Sequence, residues 1–336
     1  MPESNVHLVK AAFHEQFKTA MDCRDIDSNY YFRKFNLPTE ITDPESLLPL
    51  KPFFQLINIV AINENMPDFG SFVAQTTPWH KVLSLGPLIE KSDNLHQLLQ
   101  IFCDIASSQS SHVNFTLVDQ GSHFDFCYFD QPRVYNGDIQ MELYRVTSMI
   151  QLIHLATGPG WLPAKIRLII LENQMVKACP MLAKSDIQFS QTDTAFPIPR
   201  ELLYLPVQVD APIVKNPPKI KYSDLSTEIA NAIRQIISTY SVATDIEIDE
   251  VAKLTDMSVR TLQRRLKLKG LRFNDLLNQS KFEHAKQMLS DPKMSIKSVA
   301  ESLGYSDPAH FTRAFRRWTG ITPSQYRARS KSHGST

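Results

Sequence analysis

Two short segments near the C-terminal end of the chain carry basic and hydroxyl side chains at spacings that suit contact with a nucleic acid. Arg260 and Arg264 in the first, and Arg313 and Arg316 in the second, each share one face of a helix. Arginine can donate two hydrogen bonds to a guanine edge, and lysine and arginine neutralise phosphates. The residues that we expect to face DNA are Ser258, Arg260, Thr261, Gln263, Arg264 and Lys267 in the first segment and Ser306, His310, Thr312, Arg313, Arg316 and Arg317 in the second.

Apolar residues in the same segments predict which side of each helix is buried. In the first they recur at i, i+3 and i+7, at Val259, Leu262 and Leu266. In the second they recur at i, i+4 and i+7, at Phe311, Phe315 and Trp318. These stripes predict a hydrophobic core rather than a platform on which bases stack. The polar residues are then left outside. We expect phosphate contacts from Arg265, Lys267, Arg317 and Arg327, and base readout from Arg260, Thr261, Gln263, Arg264, His310, Arg313 and Arg316.

Each basic segment follows a copy of the same motif. Ile248–Ala252 recurs 48 residues later as Ile296–Ala300, and Ser258 and Ser306 are also 48 apart, so each serine is expected to open a helix. Two helix-turn-helix units result. Aligning Leu262 with Phe311 pairs their outward residues as follows: Thr261 with His310, Gln263 with Thr312, Arg264 with Arg313, and Lys267 with Arg316.

One helix is predicted between the two units, over residues 273–289. Its ~17 residues span ~25 Å at about 1.5 Å per residue. A rigid spacer of this length suits two recognition helices separated by one DNA turn, ~34 Å. One chain could then contact two successive major grooves.

Charge is distributed unevenly along the 336 residues. Residues 251–336 hold 17 Lys and Arg against 6 Asp and Glu, whereas residues 1–250 hold 19 against 29. The total of +1 therefore hides a net charge of +11 beside one of −10. A basic module built of helices indicates a polyanionic partner, which we take to be double-stranded DNA.

The preceding region predicts an α+β domain with a small, mostly antiparallel sheet, and the whole chain predicts two domains. Boundaries are expected at 1–207 for an effector-binding or dimerisation domain, 208–222 for a proline-rich linker, and 223–330 for the all-α DNA-binding domain. Predicted helices cover residues 5–23, 45–65, 94–110, 138–156 and 173–183, and predicted strands cover 112–118, 124–129, 164–171 and 187–191.

Motifs for enzymatic chemistry are absent from the sequence. There is no Gly-rich phosphate loop, nucleophile elbow or H-E-x-x-H motif, and the four cysteines form no C-x-x-C pair. We therefore expect no enzymatic activity, metal or cofactor. No signal peptide and no apolar run of ~20 residues is evident, which predicts a cytoplasmic protein that does not enter a membrane.

The C-terminal third resembles the AraC/XylS family of transcription regulators over about residues 231–329. The resemblance rests on four stretches: Met257–Leu266, Leu303–Phe311, Ala314–Gly320 and Thr322–Arg327. It implies two helix-turn-helix units joined by a linking helix. Three residues depart from the family pattern: Thr255 replaces a leucine, Asp256 a glycine or asparagine, and Lys281 an arginine. The first two predict a slightly softer first unit with DNA binding retained.

The N-terminal region resembles, more weakly, the effector-binding domain of the ornithine-utilisation branch of that family, which is known as an arabinose-binding type. The cues are Phe189 after the last predicted strand, Ile198-Pro199 before Leu202-Leu203, and residues 315–320. This implies a ligand-responsive activator that contacts RNA polymerase, with an unknown small-molecule effector. In the alternative, the N-terminal domain only dimerises the protein and DNA binding is constitutive. An enzyme fused to a DNA-binding module is the least favoured alternative.

Overall fold

The computed structural model describes residues 6–41, 43–77, 92–106, 113–130, 139–208, 229–240 and 246–332. These residues divide into two compact units, one containing residues 7–208 and the other residues 229–332. The predicted linker at 208–222 lies almost wholly outside the described residues. The exact boundaries between the domains therefore stay predictions.

The N-terminal unit is built around a five-stranded sheet with the order β3-β4-β7-β5-β6. The pairs within it are antiparallel except for β5 with β6. A second, two-stranded antiparallel sheet joins β1 to β2. The strands are β1 (Leu8–Lys10), β2 (Leu47–Pro49), β3 (Val113–Asp119), β4 (His123–Asp130), β5 (Lys165–Arg167), β6 (Asp186–Gln188) and β7 (Thr194–Pro199).

Helices cover these strands. They are α1 (Ala12–Asp22), α2 (Ser28–Lys34), α3 (Lys51–Asn63), α4 (Phe69–Thr76), α5 (Leu95–Ala106), α6 (Ile139–Thr157) and α7 (Gln174–Ala178), and a 3-10 helix follows at Arg200–Tyr204. Alternation along β4 directs Phe126 and Tyr128 to the core, where Phe126 lies 6.1 Å from Phe102 of α5 between ring centroids. Asp125 and Cys127 then lie on the opposite face of the sheet.

The predicted α+β class is confirmed, although several element boundaries are wrong. The β3–β4 hairpin and α6 lie within one or two residues of their predicted bounds, and Gly158 follows α6 with a φ of 76°. The helix expected from residue 5 instead begins at Ala12, after β1. Phe189 does not follow the last strand, because β7 comes after it and contains Ile198-Pro199.

The C-terminal unit is all helical, as predicted. It consists of α8 (Ile229–Tyr240), α9 (Ile248–Leu254), α10 (Val259–Leu268), α11 (Phe273–Ser290), α12 (Ile296–Ser302), α13 (Pro308–Thr319) and α14 (Pro323–Ser332). Its order, two helix pairs separated by the single helix α11, confirms the predicted arrangement. The 18 residues of α11 span roughly 27 Å.

Candidate nucleic-acid interface

The first helix pair is fixed by capping at both of its helix starts. Glu247 and Glu250 form a reciprocal capping box at the start of α9. Asp256 turns the chain with a φ of 57°, as its tolerance of the left-handed conformation predicts. The Oγ of Ser258 then accepts a hydrogen bond from the Thr261 N–H at 3.1 Å and opens α10. The predicted role of Ser258 as a helix cap is confirmed.

The second helix pair uses equivalent devices, with one difference. Ser295 caps α12 by accepting from the Ser298 N–H at 2.9 Å, and Gly304 turns the chain with a φ of 80°. The cap of α13 is Asp307, whose Oδ1 accepts from the Ala309 N–H at 2.8 Å. The prediction that Ser306 opens this helix is therefore wrong, because Ser306 lies one residue before the cap.

Cap positions determine the correct alignment of the two units. Glu247 and Ser295, which cap the first helices, are 48 residues apart, whereas Ser258 and Asp307 are 49 apart. The second turn thus contains one additional residue before its second helix. The offset of 49 supports the pairing of Leu262 with Phe311 and, with it, the predicted pairing of the outward residues.

On α10 the predicted DNA-facing side chains divide into two groups. Those of Arg260, Gln263, Arg264 and Lys267 are exposed and have no ion-pair partner among the described residues. Thr261 is half-buried, and its hydroxyl lies 2.9 Å from that of Ser258. The geometry therefore leaves four long side chains free to reach outward, while the two hydroxyls stabilise the helix start.

The same division holds on α13. His310, Arg313, Arg316 and Arg317 are exposed. Thr312 is half-buried and donates its hydroxyl hydrogen bond to the Pro308 carbonyl at 2.9 Å. The Nε2 of His310 lies 3.9 Å from Oδ2 of Asp307. Among the described ion pairs, Asp307 is the one acidic residue that pairs with a side chain of this basic face.

Behind α13, aromatic side chains form the core that supports it. Phe311 and Phe315 are fully buried, and Phe315 lies 5.4 Å from Tyr326 of α14 and 5.9 Å from Phe282 of α11 between ring centroids. Trp318 packs against the same cluster. The predicted assignment of this stripe to the core is confirmed, and it ties the orientation of α13 to the linking helix.

Two residues of the sequence motifs have contacts that the sequence did not indicate. Arg327, expected to contact phosphate, donates from Nε to the Leu289 carbonyl at 3.2 Å and thereby binds α14 to the end of α11. The ammonium of Lys281 lies 5.0 Å from the ring centroid of Tyr305, in the second turn. Both basic residues thus hold the second unit against α11.

The described ranges contain neither a candidate metal centre nor a candidate membrane-spanning helix. No cluster of three or more His, Cys, Asp or Glu residues there could hold a metal ion. None of the helices described has the length and apolar character needed to cross a membrane.

A comparison with protein-family models agrees with the geometry of the C-terminal unit. Residues 251–329 match the model of a helix-turn-helix domain family. The chain is 25% identical over 318 residues to the regulator VirS of Mycobacterium tuberculosis, covering 89% of this chain and 90% of VirS. It is 33% identical over 81 residues to the ornithine utilization regulator of Pseudomonas aeruginosa, covering 24% of this chain and 24% of that regulator. The crystal structure of CdpR from P. aeruginosa aligns over 94% of this chain and 98% of CdpR, with 18% identity and a TM-score of 0.42.

Proposed function

We propose that one chain inserts α10 and α13 into two successive major grooves. Residues 251–329 form an AraC-type helix-turn-helix domain, so the chain is a DNA-binding transcription regulator. The observation that carries this proposal is the match between the exposed faces of the two helices. In the register set by Ser258 and Asp307, Arg264 corresponds to Arg313 and Lys267 to Arg316.

Base readout is proposed for the residues nearest the helix starts. Arg260, Gln263 and Arg264 on α10 and His310 and Arg313 on α13 are exposed within the first two turns of their helices. Recognition helices place such N-terminal residues against base edges. Lys267, Arg316 and Arg317 lie further along and suit phosphates, where they add salt-dependent affinity without sequence preference. For Arg316 this replaces the base readout expected from the sequence.

The N-terminal unit is proposed to bind a small effector that shifts the chain between states of different DNA affinity. The similarity to VirS extends over both units, which supports a shared two-part organisation. Activation through RNA polymerase is part of the same proposal, as are a location in the cytoplasm and the lack of enzymatic activity. The second candidate function, constitutive DNA binding with an N-terminal unit that only forms homodimers, predicts no response to any small molecule.

Selection of duplexes from a random pool by the full-length chain tests the DNA-binding proposal. Arg264→Ala and Arg313→Ala are expected to relax sequence preference at different positions of one site, each by about 1–3 kcal/mol at the affected base pair. Arg234→Ala on α8, whose guanidinium bonds to Asn231, provides a control from the same unit. If both variants select the wild-type sequence with undiminished preference, the assigned faces do not read DNA.

A further inference from the structure

A cavity of about 600 Å³ lies against one face of the five-stranded sheet in the N-terminal unit. This size lies in the range of small-molecule sites. The register between β4 and β7 sets Asp125 opposite Pro197, and both residues line the cavity. Residues of β5 and β6, and of the segments before β5 and after β7, complete the wall. The cavity is therefore formed by segments that are distant in sequence and fixed by the sheet.

The charged groups at the wall leave it net negative. The guanidinium of Arg167 is neutralised by two carboxylates: Nη1 and Nη2 donate to Oδ2 of Asp125 at 3.1 Å, and Nε and Nη2 donate to Asp193 at 3.1 and 3.0 Å. Lys165 and Glu201, which also line the cavity, add one charge of each sign. Two cations and three carboxylates leave a net charge of −1, which opposes an anionic ligand and favours a cationic one.

Two of these carboxylates lack donors for part of their hydrogen-bonding capacity. Oδ1 of Asp125 is buried and accepts no hydrogen bond from the described residues, and the Nε2 of His123 lies 3.5 Å from it. Glu201 is exposed and has no ion-pair partner in the part of the chain that the structure describes, since the adjacent Arg200 pairs with Asp119 instead. A positive group in the cavity would compensate Glu201 directly, and the buried Asp125 would add to the attraction.

Trp161 gives the cavity a fixed aromatic surface. Its ring lies 6.0 Å from that of Phe196 between centroids, and its backbone carbonyl oxygen lies 2.7 Å from the Nε2 of His154. The side chain is only half-buried, so part of it stays accessible. Pro197 and Pro199, which alternate along β7, extend the apolar surface. An aromatic face attracts an organic cation, and the flat apolar surface suits the hydrocarbon part of the same ligand.

We propose that this cavity binds a small organic ammonium ion and is the effector site of the protein. The ammonium group lies between the Glu201 carboxylate and the face of Trp161, and the hydrocarbon body lies against Pro197 and Pro199. The assignment as effector site rests on the proposed ligand-responsive regulation, whereas binding in the cavity does not depend on DNA recognition.

Isothermal titration of the full-length chain tests binding directly. The probe is benzylammonium, benzyl alcohol is its neutral analogue, and benzoate is an anion of similar size. Benzylammonium is expected to bind saturably at about millimolar concentration, and the other two compounds about tenfold more weakly. A pH of about 8 keeps ordinary histidines neutral while the amine stays protonated.

Substitution of the two exposed charges in the wall tests the sign of the ligand. Glu201→Gln should weaken benzylammonium binding by about fivefold, whereas Lys165→Gln, which removes a repelling charge, should strengthen it by about threefold. Both side chains are exposed, so neither change should impair folding. Glu40→Gln, which removes an exposed carboxylate of the same unit outside the cavity, should leave the affinity unchanged.

Three results would overturn the cavity assignment: no saturable binding of benzylammonium, equal or tighter binding of benzyl alcohol or benzoate, or equal benzylammonium affinity in wild type and Glu201→Gln. A parallel titration of DNA in the presence of benzylammonium separates this inference from the proposed function. If benzylammonium binds with the expected dependence on Glu201 while DNA affinity stays constant, the cavity is an ammonium site and its assignment as the effector site fails. If benzylammonium binds in this way but the chain selects no DNA sequence, the proposed DNA recognition fails and the ammonium site stands.

Discussion

Ser258 and Asp307 occupy the same structural position, the N-cap of the outward helix in each helix-turn-helix unit. Each side chain accepts a hydrogen bond from a backbone N–H in the first turn, from Thr261 in one case and from Ala309 in the other. The two caps differ in charge, so the start of α13 carries a negative group where the start of α10 is neutral. Both helix starts are proposed to approach DNA, and the difference has a measurable consequence.

Asp307→Ser is expected to raise affinity for duplex DNA several-fold at low salt, because it removes a half-exposed carboxylate beside the phosphates while a serine can still cap the helix. The gain should shrink as salt screens the charge. Fluorescence anisotropy with one duplex selected by the wild-type chain, at two salt concentrations, measures both effects. Asp307→Ala serves as the matched comparison, since it also removes the charge but loses the cap, at a cost of about 1 kcal/mol in stability. Unchanged affinity in both variants would place Asp307 away from the DNA.

The two turns also differ in how they are packed. Leu303 is 1% exposed in the second unit, and the equivalent position 48 residues earlier is Thr255, 8% exposed, whose hydroxyl donates to the Val251 carbonyl at 2.8 Å. Leu303→Ala should destabilise the second unit by about 2–5 kcal/mol because it leaves a cavity in the aromatic core. Thr255→Ala should cost the first unit only about 1 kcal/mol.

Hydrogen exchange of the full-length chain, followed by mass spectrometry, compares these losses locally. Peptides from α13 are expected to exchange faster in Leu303→Ala, and peptides from α10 to change little in Thr255→Ala. A larger effect at Thr255 than at Leu303 would contradict the expectation, drawn from Thr255 and Asp256, that the first unit is the softer one.

Sequence patterns predicted the C-terminal unit well because the residues that define each of its helices lie close together in the sequence. Helical spacing identified the buried positions Leu262 and Phe311, and their alignment already implied the offset of 49. The misplaced start of α13 arose because Ser306 and Asp307 are both good caps. Proline is favoured at the first position of a helix, so Pro308 favours the residue directly before it, Asp307, as the cap.

Much less of the N-terminal unit could be predicted, because its contacts join residues distant in sequence. Strands of three residues, such as β1 and β5, are too short to show periodicity. Lys10 does not look like a core residue, yet it is buried on β1 through an ion pair with Glu45 at 2.7 Å. Arg167 meets its carboxylate partners only after the sheet has formed, so no spacing in the sequence could have indicated the cavity.

Gly70 allows α4 and α6 to approach closely, and its replacement should destabilise the N-terminal unit. A Cβ at this position would lie 1.8 Å from the Gln140 carbonyl oxygen, and the Gly70 N–H donates to Oε1 of the same glutamine at 2.9 Å. Gly70→Ala is therefore expected to lower the free energy of unfolding by about 3 kcal/mol, the upper end of the usual cost of overpacking. Gly160→Ala is the control, because a Cβ there meets no atom within 4 Å. Urea unfolding monitored by circular dichroism compares the two; similar midpoints would exclude a close helix contact at Gly70.

His14 should make the N-terminal unit sensitive to acid. Its side chain is fully buried, with the ring stacked on Phe32 at 4.0 Å and Nε2 at 2.7 Å from the Pro38 carbonyl oxygen. Burial lowers the pKa of His14 to about 4, an effect that the bond to Pro38 opposes and the charge of Lys18 reinforces. The unfolded chain therefore binds a proton near pH 6.5 that the folded chain takes up only near pH 4.

The contribution of His14 to stability is thus complete above about pH 6.5 and is lost as the pH falls toward 4, by ~3 kcal/mol in total. His7 and His154, whose pKa values are also lowered by burial, act in the same direction, so the wild-type profile contains more than one such group. His14→Gln cannot titrate in this range and should show a smaller loss between pH 6.5 and 4 than wild type, whatever its stability at neutral pH. Urea unfolding at four pH values measures both profiles. Parallel profiles would mean that His14 is not held neutral by the fold, and that its ring is reached by water in the folded protein.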